Sequence, residues 1–144
     1  MELGAAEIQP LASSRSVVRL CGERAQKRVE HWQNIAVAAC EQCGRNRVPL
    51  VRQIMPLLTW LSEKQGPGLR VMMSPAAAIS LRDLPRPDGP VTLLAGPEGG
   101  FTDAEIVAAQ ACGFTSVRLG ARILRTETAA LAGLSAIQTL WGDF

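Results

Sequence analysis

The chain has 144 residues, of which 47% are hydrophobic and 19% charged. The charged share lies below the roughly 25% of an ordinary soluble domain, which excludes intrinsic disorder and predicts a single folded domain over residues 1–144. Fifteen Lys and Arg against thirteen Asp and Glu leave +2, too little for a free-standing polyanion-binding domain, so any contact with nucleic acid must be local.

The longest uncharged run, residues 128–142, contains Ser135, Gln138 and two glycines; it is too short and too polar for a membrane span and reads as a buried helix. Glu2 and Glu7, with no apolar segment around them, predict no secretory leader and a cytosolic protein. Cys40 and Cys43 form a CxxC, but no second Cys or His pair stands at zinc spacing and the pair falls inside an Ala-rich helical pattern. Buried thiols, rather than a metal or redox centre, are the expectation. The single histidine, His31, lies in the same pattern beside Trp32, and no catalytic role is expected of it.

In chain order, residues 8–11 and 17–20 are short extended candidates flanking Ser13-Ser14-Arg15-Ser16. Ala25, Val29, Trp32, Ala36, Ala39 and Cys43 then step by four and three, one face of a long helix that Gly44 stops. A second helix is expected over 56–64, with Pro56 in its first turn and Gly66-Pro67-Gly68 ending it. Residues 69–73 read as a buried strand and the proline-rich 83–90 as a loop. The apolar run 91–95 reads as a strand too continuous to be an edge. Thr102 and Glu105 form a capping box for a helix that ends before Gly113, 115–119 is a further strand, and a closing helix starts near Thr126. Strands alternating with helices predict an α/β fold with a mostly parallel sheet, whose ligands collect beyond the carboxyl ends of the strands.

Two loops follow strands in this scheme. Gly96-Pro97-Glu98-Gly99-Gly100 supplies positive φ angles and lets a ligand reach main-chain groups that side chains would otherwise cover. It is neither GxxxxGK[ST] nor GxGxxG; a plain glycine turn into a capped helix is the alternative. Residues 119–128, LGARILRTET, put two arginines and a carboxylate beside a helix start. They form either a site or a helix terminus with Thr126 as its cap, Glu127 on the dipole and both arginines in solvent.

LLAGPEGGFTDAEI (93–106) followed by RLGARILRTETAALAGLSAIQ (118–138) resembles the C-terminal part of the bacterial 16S ribosomal RNA (uracil-N3)-methyltransferase family, RsmE, of the SPOUT superfamily. ELGAAEIQPLASSRSVV, RAQKRVEHWQNIAVAACEQCGRNRVP and VMMSP are similar to that family too, so the likeness covers essentially the whole chain. The resemblance implies an α/β fold with flanking helices and a C-terminal deep trefoil knot, an exception to the rule that chains do not thread their own loops. It implies S-adenosylmethionine held by Leu94, Gly96, Glu98, Gly99 and Gly100 from one loop and Leu119, Gly120, Ile123, Leu124, Arg125 and Thr126 from the other, with Ser74 and Pro75 as lesser members. The implied acceptor is a uridine of small-subunit ribosomal RNA. Family members carry a PUA-like RNA-binding domain ahead of this segment. The sequence begins, at Met1-Glu2-Leu3-Gly4, where their second domain does, so it reads as part of a longer chain.

Methylating uridine N3 requires the N3 proton to leave, and the resulting charge spreads onto the carbonyl oxygens, where an arginine would stabilise it. Arg125 and Arg122 are the candidates for that role, and Glu98 or Glu127 for accepting the proton. A SPOUT enzyme with another acceptor, a ribose 2′-hydroxyl or a guanine, and a non-catalytic cofactor-binding dimerisation module are the alternatives. The apolar residues around much of the closing helix, together with the family likeness, imply a homodimer; no metal and no membrane partner are expected.

Overall fold

The computed structural model describes residues 1–16, 22–63 and 66–144; the strand expected at 17–20 lies outside them. In chain order the elements are β1 (Glu7–Ile8), β2 (Leu11–Ala12), α1 (Gly22–Cys43), β3 (Leu50–Val51), β4 (Met55–Pro56), α2 (Leu57–Ser62), β5 (Leu69–Met73), β6 (Val91–Leu94), α3 (Asp103–Ala111), β7 (Thr115–Val117) and α4 (Thr126–Trp141), with one 3-10 turn at Leu81–Asp83. Among the described residues all strand pairings are parallel, so the chain is α/β with parallel sheets and flanking helices.

The long helix forms on the face its spacing predicts. Val29, Ala36 and Cys40 of α1 are buried and Ala25, Trp32, Ala39 and Cys43 half-buried; this stripe packs on Ile8, Val51 and Ile54. Gly44 ends it at φ +74, and the Arg45 N–H donates to the Cys40 carbonyl at 3.0 Å, the return bond of a left-handed helix stop. Cys40 is a buried free thiol and His31 is exposed. Among the described residues no group of three or more His, Cys, Asp or Glu could hold a metal ion.

The strand expected at 8–11 is instead two short ones. Pro10 has no amide hydrogen for a ladder, so pairing breaks around it: β1 runs beside β3 and β2 beside β4, while the Gln9 side chain donates to the Gln53 carbonyl at 2.8 Å. The second helix starts one residue later than expected. Pro56 is extended (ψ 138°), belongs to β4 and caps α2, whose last helical residue is Ser62.

The main sheet has the order β6-β5-β7. Among the described residues β6 is therefore an edge strand, against the expectation from its continuous apolar run. That run is satisfied because α4 covers the edge: Gly133 approaches so closely that a Cβ there would sit 3.1 Å from Leu93 and 3.5 Å from Met73. Alternate residues of β5 face opposite ways. Met72 joins Leu57, Leu61, Leu94, Ala109 and Phe114 under α2 and α3, and Val71 joins Leu81, Val117 and the α4 residues Ala136, Ile137 and Trp141. The result is a sheet between two helical layers. The expected burial of α4 is only partly met, because Leu131 and Leu140 remain 58% and 42% exposed in the single chain. Among the described residues no helix is long and apolar enough to cross a membrane.

β6 and β7 stop at Leu94 and Val117, short of the 95 and 119 expected. Their last expected residues thus enter the loops that build the site.

Candidate active site

Beyond the carboxyl ends of β5, β6 and β7 lies a cavity of about 260 Å³, where an open parallel sheet receives a ligand. Three loops enclose it. Ser74 and Pro75 come from the loop after β5, Gly96, Glu98 and Gly100 from the loop after β6, and Leu119, Gly120, Arg122, Ile123 and Leu124 from the loop after β7, with Thr126 from the start of α4. All eleven are sequence-derived candidates brought to one place from positions up to 52 residues apart.

Four other candidates, Leu94, Gly99, Arg125 and Glu127, do not line the cavity. Leu94 is 4% exposed and packs in the core against Met72 and Leu57. Gly99 is exposed, and its carbonyl accepts from Arg15 at 2.9 Å. Arg125 is exposed and occupies the cap position of α4. Thr126 is not the cap: it is the first helical residue, and no side chain caps this terminus. Glu127 does fall in the first turn, but it does not line the cavity.

The remaining wall comes from residues outside the candidate set, including Met72, Met73, Phe101, Ile106, Val117, Arg118 and Ala129. Arg118 was legible only as the end of a strand. Its main chain bonds Ile79 and Leu81, and its guanidinium donates to the Ala77 carbonyl at 3.2 Å, tying the loop after β5 to the end of β7.

Backbone geometry explains the glycines that matter. Gly100 at φ +67 and Gly120 at φ +134 lie where side chains are strained. The Gly100 N–H donates to the Pro97 carbonyl at 2.8 Å, closing the turn. At Gly96 a Cβ would stand 3.1 Å from the Phe101 ring, so any side chain there presses on a residue of the cavity wall. Arg118, Arg122 and Glu98 supply charge to an otherwise largely apolar lining. None of them takes part in an ion pair among the described residues, so their charge is available to a ligand.

Glu105 anchors the loop after β6 from behind. At 3% exposure it is the buried charged side chain among the described residues. Its Oε2 accepts from the Thr102 N–H at 2.8 Å and the Thr102 hydroxyl at 3.0 Å, and its Oε1 from the Ser14 N–H at 2.8 Å. Burial pushes its pKa up, but the hydrogen bonds from Thr102 and Ser14 outweigh burial and hold the carboxyl below its ordinary range. A carboxyl depressed in the fold stabilises it at pH values above the unfolded pKa, and that stabilisation fades as pH falls through the folded value. Glu105→Gln is expected to cost about 1–2 kcal/mol at pH 7 and to flatten the loss of stability below about pH 4.5. Urea unfolding from pH 7 to pH 3 checks both.

Comparison with known proteins bears on what such a cavity holds. The curated ribosomal RNA small subunit methyltransferase E of Buchnera aphidicola (Schizaphis graminum) is 37% identical over 143 residues, 99% of this chain and 58% of the relative. The chain thus spans about three fifths of that relative's length. A crystal structure of ribosomal RNA small subunit methyltransferase E from Neisseria gonorrhoeae bound to S-adenosyl methionine superposes with a TM-score of 0.93 at 49% identity, covering 99% of this chain and 59% of that one. A Legionella pneumophila protein in complex with SAM superposes at 0.92 with 43% identity, covering 99% and 59%. A family model described as an RNA methyltransferase domain matches residues 1–138, and the chain belongs to that family.

Proposed function

We propose that the cavity binds S-adenosylmethionine and that the chain, as one domain over 1–144, transfers its methyl group to N3 of a uridine in small-subunit ribosomal RNA. The observation that carries this reading is the convergence of three strand-end loops on one cavity with an apolar wall and close main-chain approach, where Arg122 and Glu98 take part in no ion pair among the described residues. The lining fits the group. Met73, Phe101, Leu119 and Leu124 suit a purine and a thioether stem, the glycine loops offer main-chain donors and acceptors, and the Glu98 carboxylate suits a cationic ligand.

When bound, the cofactor supplies the methyl group. The chain contributes position and charge. An apolar cavity excludes water and holds the reactants in line, the largest source of acceleration for a displacement of this kind. Arg122, on the cavity wall, stabilises charge on the uracil carbonyl oxygens as the N3 proton leaves. Glu98 is the acceptor for that proton, and Arg125, exposed at the cap position of α4, is a further donor to the RNA. The knotted SPOUT arrangement is part of the same reading, as is cytoplasmic residence, where ribosomal RNA is found.

The exposed apolar residues of α4, Leu131 and Leu140, on opposite sides of the helix, and Ile123 at 83% exposure are read as leaving α4 room for a partner in a symmetric homodimer. Sedimentation at twice the chain's mass is its expected signature. Titration calorimetry with S-adenosylmethionine and its demethylated product tests the cofactor reading: binding is expected in the presence of EDTA, with a rise in melting temperature by mass action. Absence of both heat and stabilisation at millimolar ligand would contradict it.

A further inference from the structure

The serine-rich turn at 13–16 is distant from the glycine loop in sequence and lies against it in the fold. The turn is closed on itself by the Ser16 N–H to the Ser13 carbonyl and the Ser13 N–H to the Ser16 hydroxyl, both at 3.1 Å. From this fixed base the Arg15 Nη1 donates to the Gly99 carbonyl at 2.9 Å and the Phe101 carbonyl at 3.4 Å. These two carbonyls flank Gly100. The preceding residue, Ser14, is held by Glu105, so the turn grips the loop and the start of α3 separately. The arginine stem also lies flat on Gly99, where a Cβ would sit 3.1 Å from the Arg15 Cβ.

We propose that Arg15 is a positioning residue for the cofactor loop, acting through main-chain carbonyls from the side facing away from the cavity. The proposal rests on the cofactor reading of the cavity given above. A loop with three glycines has more backbone freedom to lose on binding than any other kind. A guanidinium that holds two of its carbonyls removes that freedom during folding, so that ligand binding does not bear the cost. Gly96, Gly100 and Phe101, on the inner edge of the same loop, line the cavity; holding Gly99 and Phe101 fixes that edge. Arg15 is itself exposed, so its removal leaves the core standing.

The test compares the complete chain with Arg15→Ala and Arg15→Lys. Calorimetry with S-adenosylmethionine is expected to give a Kd about tenfold or more weaker for Arg15→Ala, with a melting temperature before ligand addition within about 2 °C of wild type. Arg15→Lys, which keeps a cationic donor, is expected to recover most of the affinity. Before ligand addition, amide hydrogen exchange at Gly99 to Phe101 is expected to rise in Arg15→Ala. A Kd within about threefold of wild type, unchanged exchange in the loop, or an effect confined to KM for RNA would overturn the proposal; the last would make Arg15 an RNA contact. Should Arg15→Ala melt early, the Lys variant carries the test, and a Lys variant no tighter than Ala overturns it. A wild-type chain without affinity for the cofactor would overturn the cavity reading itself, whatever Arg15 does.

Discussion

Replacing Gly96 with valine is expected to weaken cofactor binding by about a hundredfold, or about 2.8 kcal/mol. The reason is local. Even one added carbon at Gly96 would meet the Phe101 ring at 3.1 Å, and Phe101 both lines the cavity and packs on the core under α3. It can yield a few tenths of an ångström but not the width of two further methyl groups. Gly96→Ala is therefore expected to lose much less than Gly96→Val. Calorimetry on both variants, with urea unfolding to separate affinity from stability, checks the gradient; a valine variant that binds as well as alanine would place the ligand elsewhere.

Arg122→Ala is expected to lower kcat by about 10²–10³, equivalent to about 2.7–4 kcal/mol, the usual cost of removing one donor to a developing oxyanion. Stability is expected to be unchanged, because Arg122 is exposed and in no ion pair among the described residues. Arg122→Lys is not expected to restore the rate fully, since a planar fork and a point charge present donors differently. Arg125→Ala is the informative companion. Arg125 occupies the cap position of α4 without a side-chain capping bond and lies outside the cavity lining, so its removal is expected to act mainly on KM for RNA. A loss within about threefold for Arg122→Ala, about 0.7 kcal/mol, would remove it from the reaction.

Local rules written into consecutive residues were the legible part of this fold. Gly44 ends α1 because only a left-handed residue closes that helix stop, and Thr102 with Glu105 forms the capping box its spacing announces. The loops at 96–100 and 119–126 were visible for the same reason: clustered glycine and charge in an apolar chain need a use. What stayed hidden depends on pairing across the chain. Strands of two residues, such as β3 and β4, carry no period to detect. Pro56 suited a first helical turn equally well, and only its pairing with Ala12 assigns it to β4. Arg15 reaches Gly99 across 84 residues, a contact no local pattern encodes. Met73 and Val117 looked like core strand residues, which they are; they also end where the sheet opens into the cavity. The apolar circumference of α4 predicted burial that a single chain does not supply.

The claim that the cavity serves methyl transfer to uridine N3 is tested most directly by product identity. Small-subunit ribosomal RNA from a strain lacking the corresponding activity is incubated with the chain, at stoichiometric concentration, and S-adenosylmethionine carrying an isotopically labelled methyl group. The RNA is then digested to nucleosides for mass spectrometry. Label is expected in N3-methyluridine, at a slow rate because a chain of net charge +2 holds a polyanion weakly, and is expected to fall with Gly96→Val and Arg122→Ala. Label in a ribose-methylated nucleoside or in a guanine, or no label under conditions where the cofactor is bound, would contradict the account.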